Sequence, residues 1–136
     1  MTRTARKIRD DVQGSAAIEF VIAVPILVSL IWGIFQIALL FEVNAGVQHA
    51  LGEAARAATI YPTPSDTTIL SKLTSAKFGG VLEGTFYTAC PQTCITTDST
   101  AKTKTITVTY SQPTNFLFFA GPSVTIAKSK TVYLSS

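Results

Sequence analysis

Residues 20–41 read FVIAVPILVSLIWGIFQIALLF, an apolar run without a single charge. At about 1.5 Å per residue, a helix of that length covers roughly 30 Å, the hydrocarbon thickness of a bilayer. Beyond it the apolar positions become periodic. Val43, Val47, Ala50 or Leu51, Ala54 and Ala58 recur at helical spacing, with Glu42, Gln48, His49, Glu53 and Arg56 mostly elsewhere. No breaker intervenes before Tyr61-Pro62-Thr63-Pro64, where neither proline donates and each restricts its predecessor. The pattern predicts one helix from about Ser15 to Thr59, roughly 65–70 Å long. Small residues line its stripe (Gly46, Ala50, Ala54, Ala57) and permit close approach of a second backbone. Pro25 removes one donor and crowds the carbonyl of Val21, so a bend or loosening is expected there, with Gly33 a second soft point.

The remaining pattern is shorter in period. Ser65-Asp66 can cap a helix from about Thr67 to Lys77, with Ile69, Leu70, Leu73 and Ala76 on one face and Gly79-Gly80 as its stop. Residues 103–110 alternate strictly, putting Ile106, Val108 and Tyr110 on one side and threonines on the other. Residues 124–134 read as another strand and 81–89 as a weaker third. Between Pro113 and Pro122, Phe116-Leu117-Phe118-Phe119 is too apolar for a simple loop. A core plug or a short helix on the sheet is the first expectation, and an exposed partner or membrane contact the second. The fold class is α+β: a basic leader (1–14), a long helix (15–60) with a membrane segment at about 20–41, and a small antiparallel-sheet body (61–136).

Charge sharpens the orientation of this arrangement. Arg3, Arg6, Lys7 and Arg9 precede the apolar run, and without residues 1–14 only seven basic and six acidic residues remain. Most of the net charge of +3 therefore comes from the tail, the rest of the chain is close to neutral, and no basic face for nucleic acid is in view. The positive-inside rule puts the tail in the cytoplasm and the body outside it. A secretory signal fits less well, since its apolar core is usually about 7–15 residues and ends at a small-x-small site. With 136 residues in all, fewer than about 80 are left for the body, which buries only a modest core.

Two cysteines, Cys90 and Cys94, bracket Pro91-Gln92-Thr93. Outside the cytoplasm a local disulfide is the plain expectation. Metal binding and thioredoxin-like chemistry lack support: His49 is remote, and the spacing is one residue too long for the redox motif. No catalytic residue is proposed. A nucleophile needs a base within reach, and the single His49 falls on the polar face of the predicted helix. No cofactor or metal is expected.

The stretch Gly14-Ser15-Ala16-Ala17-Ile18-Glu19-Phe20 sets a lone carboxylate at the doorstep of the apolar run. Such a group is expensive beside hydrocarbon and is a functional hypothesis by default. The stretch resembles the processing site of type IV prepilins, where a peptidase cuts after the glycine. Together with Pro25, Trp32-Gly33-Ile34 and Ala54-Ala55-Arg56-Ala57-Ala58, it is similar to TadE-like minor pilins, or pseudopilins, of bacterial tight-adherence pilus systems. Members often carry an acid where this chain has Gln36, so no carboxylate role carries over to that position. The resemblance implies processing at Gly14, Ser15, Glu19 and Phe20. Beside it, Glu19 is expected to serve assembly by meeting the Ser15 amine of a neighbouring subunit, or more plainly to snorkel to the headgroups. Pro25 is expected to give pliability for assembly, or to be simply tolerated as in other membrane helices. It also implies other pilin subunits, a prepilin peptidase, an inner-membrane platform and a secretion ATPase as partners, alongside the lipid bilayer. The expected location is the bacterial inner membrane, with the body periplasmic and passage to the pilus or cell surface after assembly. An uncleaved, membrane-anchored periplasmic adaptor of the same machinery stays open as an alternative. So, further off, does an anchored enzyme or binding module.

Overall fold

The computed structural model describes residues 2–60, 62, 64–76, 78 and 84–134, with the backbone alone for 2–13. A single helix, α1 (Thr2–Ala58), is followed by α2 (Asp66–Thr74) and four strands: β1 (Thr85–Phe86), β2 (Cys94–Asp98), β3 (Thr103–Gln112) and β4 (Val124–Tyr133). The fold is α+β.

The first helix opens earlier than Ser15. Its leading residues include Arg3, Ala5, Arg6, Lys7 and Arg9, which favour helix, and the lone Gly14 costs only about 1 kcal/mol against Ala. It also passes through Pro25 without ending. The hydroxyl of Ser29 donates to the Pro25 carbonyl at 2.7 Å, so side-chain bonding accompanies the position where the proline removes a backbone donor.

β3 is the centre of the sheet. It pairs antiparallel with β4 along its whole length, from Thr103 opposite Tyr133 to Gln112 opposite Val124. Its other edge is shared by β2, with Ile95 opposite Ile106, and by β1, with Phe86 opposite Tyr110. As the alternation predicts, Ile106, Val108 and Tyr110 are buried on one face. The opposite face is less uniformly solvated than expected. Thr109 is buried because the loop before β2 covers it: its hydroxyl donates to the Gln92 carbonyl at 2.8 Å, and its N–H donates to the Thr93 hydroxyl at 3.3 Å.

The buried face of the sheet rests on the second half of α1. Val43, Val47, Ala50, Leu51, Ala54, Ala55 and Ala58 form one cluster with Ile69, Leu73, Ile106, Val108 and Tyr110. Small side chains let the strands come close. At Gly46 the Phe78 ring sits where a side chain would otherwise be, and Phe78 packs against Phe86 and Tyr110 at centroid separations of 5.6 and 5.1 Å. The first strand is held equally close, since a Cβ on Gly84 would run into the Ser111 carbonyl.

α2 begins as predicted. Ser65 is extended, and its hydroxyl accepts from the Thr68 N–H at 3.3 Å. Asp66 in the first turn pairs with Lys104 of β3 at 2.6 Å, which ties the short helix to the sheet. The helix stops at Thr74, three residues before the expected Lys77. The hydroxyls of Thr74 and Ser75 bond the carbonyls of Leu70 and Lys72, competing with the backbone ladder. The expected stop at Gly79-Gly80 lies outside the described residues, as do the first three residues of the weak strand at 81–89. Within that strand only Thr85 and Phe86 pair. The second strand, Cys94–Asp98, was not predicted. It is short, with Ile95 its only strongly apolar residue, and carries no alternation to announce it.

Candidate functional site

Two regions concentrate the sequence signals: the start of α1, and its junction with the loop between β3 and β4. Gly14, Ser15, Glu19 and Phe20 share one continuous helix and are all exposed. Glu19 makes no ion pair among the described residues. Around it Ile18, Phe20, Val21 and Ile22 are 60–69% exposed, and large apolar side chains stay uncovered along the helix as far as Phe41. A contiguous apolar surface of this extent marks a membrane or protein contact. From Gly14 to Ala58 the helix is long and apolar enough to cross a membrane.

The second region is where the body first touches the helix. The loop between β3 and β4 folds back as a tight hairpin. Phe116 and Phe119 exchange backbone hydrogen bonds at 2.9 and 3.3 Å, and their rings stack at 4.9 Å. Below the turn, Gly121 N–H donates to the Thr114 carbonyl at 2.8 Å, and the Thr114 hydroxyl donates to the Pro122 carbonyl at 2.7 Å. Asn115 then presents its carbonyl to the helix. The Trp32 indole N–H and the Gln36 amide both donate to it, at 2.7 and 2.8 Å. Gln36 is 3% exposed as a result.

This overturns the first expectation for Phe116-Leu117-Phe118-Phe119. The segment is neither a core plug nor a helix on the sheet. Leu117, Phe118 and Phe119 are 49%, 71% and 63% exposed at the hairpin tip. The tight turn and the Asn115 contact hold them away from the sheet face, which α1 already covers. Gln36 and Asn115 were not singled out as functional from the sequence. A glutamine in an apolar run was the one available signal, and its partner 79 residues away was not visible.

The cysteines are free thiols in the structure, so the expected disulfide is not formed in it. The Cys90–Pro91 peptide is cis. The Cys90 thiol points at the Thr93 carbonyl and the Cys94 thiol at the Pro91 carbonyl, each at 3.8 Å. A hydrogen bond with Cys90, then partial burial and the neighbouring sulfur's charge, raises the Cys94 thiol above its ordinary pKa. His49 is exposed, as its polar-face position predicts. It lines a shallow groove of about 430 Å³ with Glu53, Arg56 and Lys72. Among the described residues no three His, Cys, Asp or Glu side chains gather as a metal site.

A free apolar half-helix with one acid near its start, continuous with a half-helix built into a small sheet body, defines a stalk-and-head protein compatible with membrane anchoring. Over residues 14–56 the chain matches the family model described as TadE-like protein. The match runs from the candidate scissile glycine to the last turn of α1 and includes none of the sheet. It bears out the resemblance carried by those residues and extends no further along the chain. No curated protein and no solved structure matches the chain.

Proposed function

We propose that the chain is a minor pilin, or pseudopilin, of a tight-adherence pilus, cut after Gly14 by a prepilin peptidase. The observation that carries this reading is that the family match begins at Gly14, five residues ahead of Glu19 and six ahead of the uncharged run 20–41, whose large side chains are mostly exposed. Gly14 lowers local helix propensity by about 1 kcal/mol, which eases opening of the helix around the bond to be cut. Cleavage frees an amine on Ser15, roughly one turn from Glu19. In type IV pilins, which the start of the chain resembles, that amine is usually methylated.

An unpaired carboxylate in hydrocarbon or a packed bundle costs several kcal/mol, and a neighbouring cation offsets much of that. In a staggered filament, Glu19 of one subunit meets the Ser15 amine of the next, which selects register. Glu19 thus serves assembly rather than folding. Pro25 gives pliability to a helix that must leave the bilayer and repack. The basic tail keeps residues 1–14 cytoplasmic within reach of the peptidase, the assembly platform and its ATPase, with the body periplasmic. On this reading the protein primes, caps or regulates the pilus, supports surface attachment and catalyses nothing.

N-terminal mass analysis of membrane and pilus fractions is the test. A mature chain starting at Ser15, with or without a methyl group, is expected wherever the peptidase is active. Recovery of only the chain retaining residues 1–14 favours the uncleaved periplasmic adaptor instead.

A further inference from the structure

We propose that the hairpin tip Leu117-Phe118-Phe119 is a membrane-interface anchor that sets how deep α1 sits in the bilayer. The inference rests on the membrane-anchored reading above and adds a depth and a second contact to it.

The hairpin does not meet the helix at the end of the apolar run. It meets it inside the run, at Trp32 and Gln36, and its three apolar tip side chains are exposed, as are Ile31, Ile34 and Phe35 on the helix. Water on one side of that junction and hydrocarbon on the other explains the composition found there. Trp32 has an indole N–H already bonded to protein, and an amphipathic ring of this kind favours the headgroup region. The chain from Ser111 to Ala127 carries no charge, so no ionised side chain in the hairpin or its flanks opposes contact with lipid. Part of its backbone is bonded internally, through the Phe116–Phe119 pair, the Gly121–Thr114 bond and the Asn115 carbonyl. The backbone groups of Leu117 and Phe118 are left for water and headgroups to meet, which fits the interface and not the hydrocarbon core.

With the outer boundary at Trp32–Gln36 rather than at residue 41, about 20 residues of helix reach back to near Ser15. Glu19 then lies about one turn inside the inner boundary, not outside it. The membrane segment shifts accordingly from 20–41 to roughly 15–36.

Full-length protein in phosphatidylcholine–phosphatidylglycerol vesicles, at low protein-to-lipid ratio, tests this. In a Cys90→Ser/Cys94→Ser background, single cysteines from Phe118→Cys, Leu27→Cys and Thr97→Cys are labelled with an environment-sensitive dye. Lipids carrying nitroxides at shallow or deep positions serve as quenchers. The expected result is a blue-shifted dye at position 118 quenched most by the shallow nitroxide, with position 27 quenched most by the deep one and position 97 by neither. Deep quenching at 27 with water-like emission at 118 overturns the anchor while leaving the membrane reading intact. A blue-shifted but unquenched dye at 118 overturns it in favour of a second copy of the chain as the partner. No quenching anywhere refutes the membrane reading and the anchor together. The unlabelled wild-type chain gives an independent check, since Trp32 is its single tryptophan. Its fluorescence is expected to lose more intensity to shallow than to deep quenchers, and the reverse order refutes the assigned depth.

Discussion

Trp32 and Asn115 are 83 residues apart in the chain, yet the indole of one donates to the backbone carbonyl of the other at 2.7 Å. Gln36, one helical turn on, donates to the same oxygen. Two donors on one carbonyl make this a latch between the free half of the stalk and the loop between the long strands.

Replacing Gln36 by glutamate tests the latch. An ionised carboxylate cannot donate and would face the carbonyl oxygen instead, at a cost of about 1–3 kcal/mol. In detergent micelles, chymotryptic cleavage within the hairpin of Gln36→Glu is expected to rise about tenfold, since about 1.4 kcal/mol corresponds to one factor of ten. Gln36→Met, which keeps the length without the donor, should fall between. Cleavage at the wild-type rate in both variants would show that the hairpin is held by something else.

The core prediction concerns Ile106, fully buried at the centre of the sheet face. Ile106→Ala is expected to destabilise the body by roughly 2–5 kcal/mol. Val24→Ala, on the uncovered half of α1 where the residue is 37% exposed, should leave body unfolding within about 0.5 kcal/mol of wild type. Near-ultraviolet circular dichroism against temperature, in one detergent, reads both. Equal effects would mean that the two halves of the helix do not differ in role.

Glu19 is expected to separate assembly from folding. Glu19→Ala should unfold at the wild-type temperature, because the side chain touches nothing in the body. Its recovery in the pilus fraction should fall strongly. Glu19→Gln distinguishes charge from polarity: loss comparable to the alanine variant identifies the carboxylate as what neighbouring subunits read. Normal incorporation of both variants would remove Glu19 from the assembly mechanism.

The cysteines give a pH-dependent readout. A raised Cys94 pKa means less thiolate at any pH below it, and the thiolate is the reactive form. In reduced native protein, iodoacetamide is therefore expected to alkylate Cys94 more slowly than in the denatured chain, with the gap closing as pH rises. Cys90→Ala removes the leading cause and should speed the reaction at Cys94. Under oxidising conditions, mass analysis should find both thiols protected as one intramolecular disulfide. Persistent double alkylation after oxidation would count against the pairing expected outside the cytoplasm.

Much of this architecture was legible because its signals are local. The helical stripe from Val43 to Ala58, the Ser65 cap and the alternation of Ile106, Val108 and Tyr110 each follow from neighbours in sequence. So does the motif at Gly14 to Phe20. What escaped depends on distant partners. β2 is a strand because β3 offers it an edge, not because Cys-Ile-Thr-Thr-Asp insists on extension. Thr109 is buried by a loop that sequence spacing does not place. The hairpin was misjudged for the same reason: apolar residues usually mean core, and here α1 already fills that space. Where an apolar segment goes depends on which surfaces are left, and that is a property of the assembled whole.

Because α1 is both the apolar rod and, from Val43 to Ala58, the floor of the sheet's core, no slack tether separates head from anchor. Axial pull or twist applied on the body side of Pro25 is delivered to the strands through one continuous helix. The head must therefore travel and turn with the rod, and shedding it would mean tearing open its own interior.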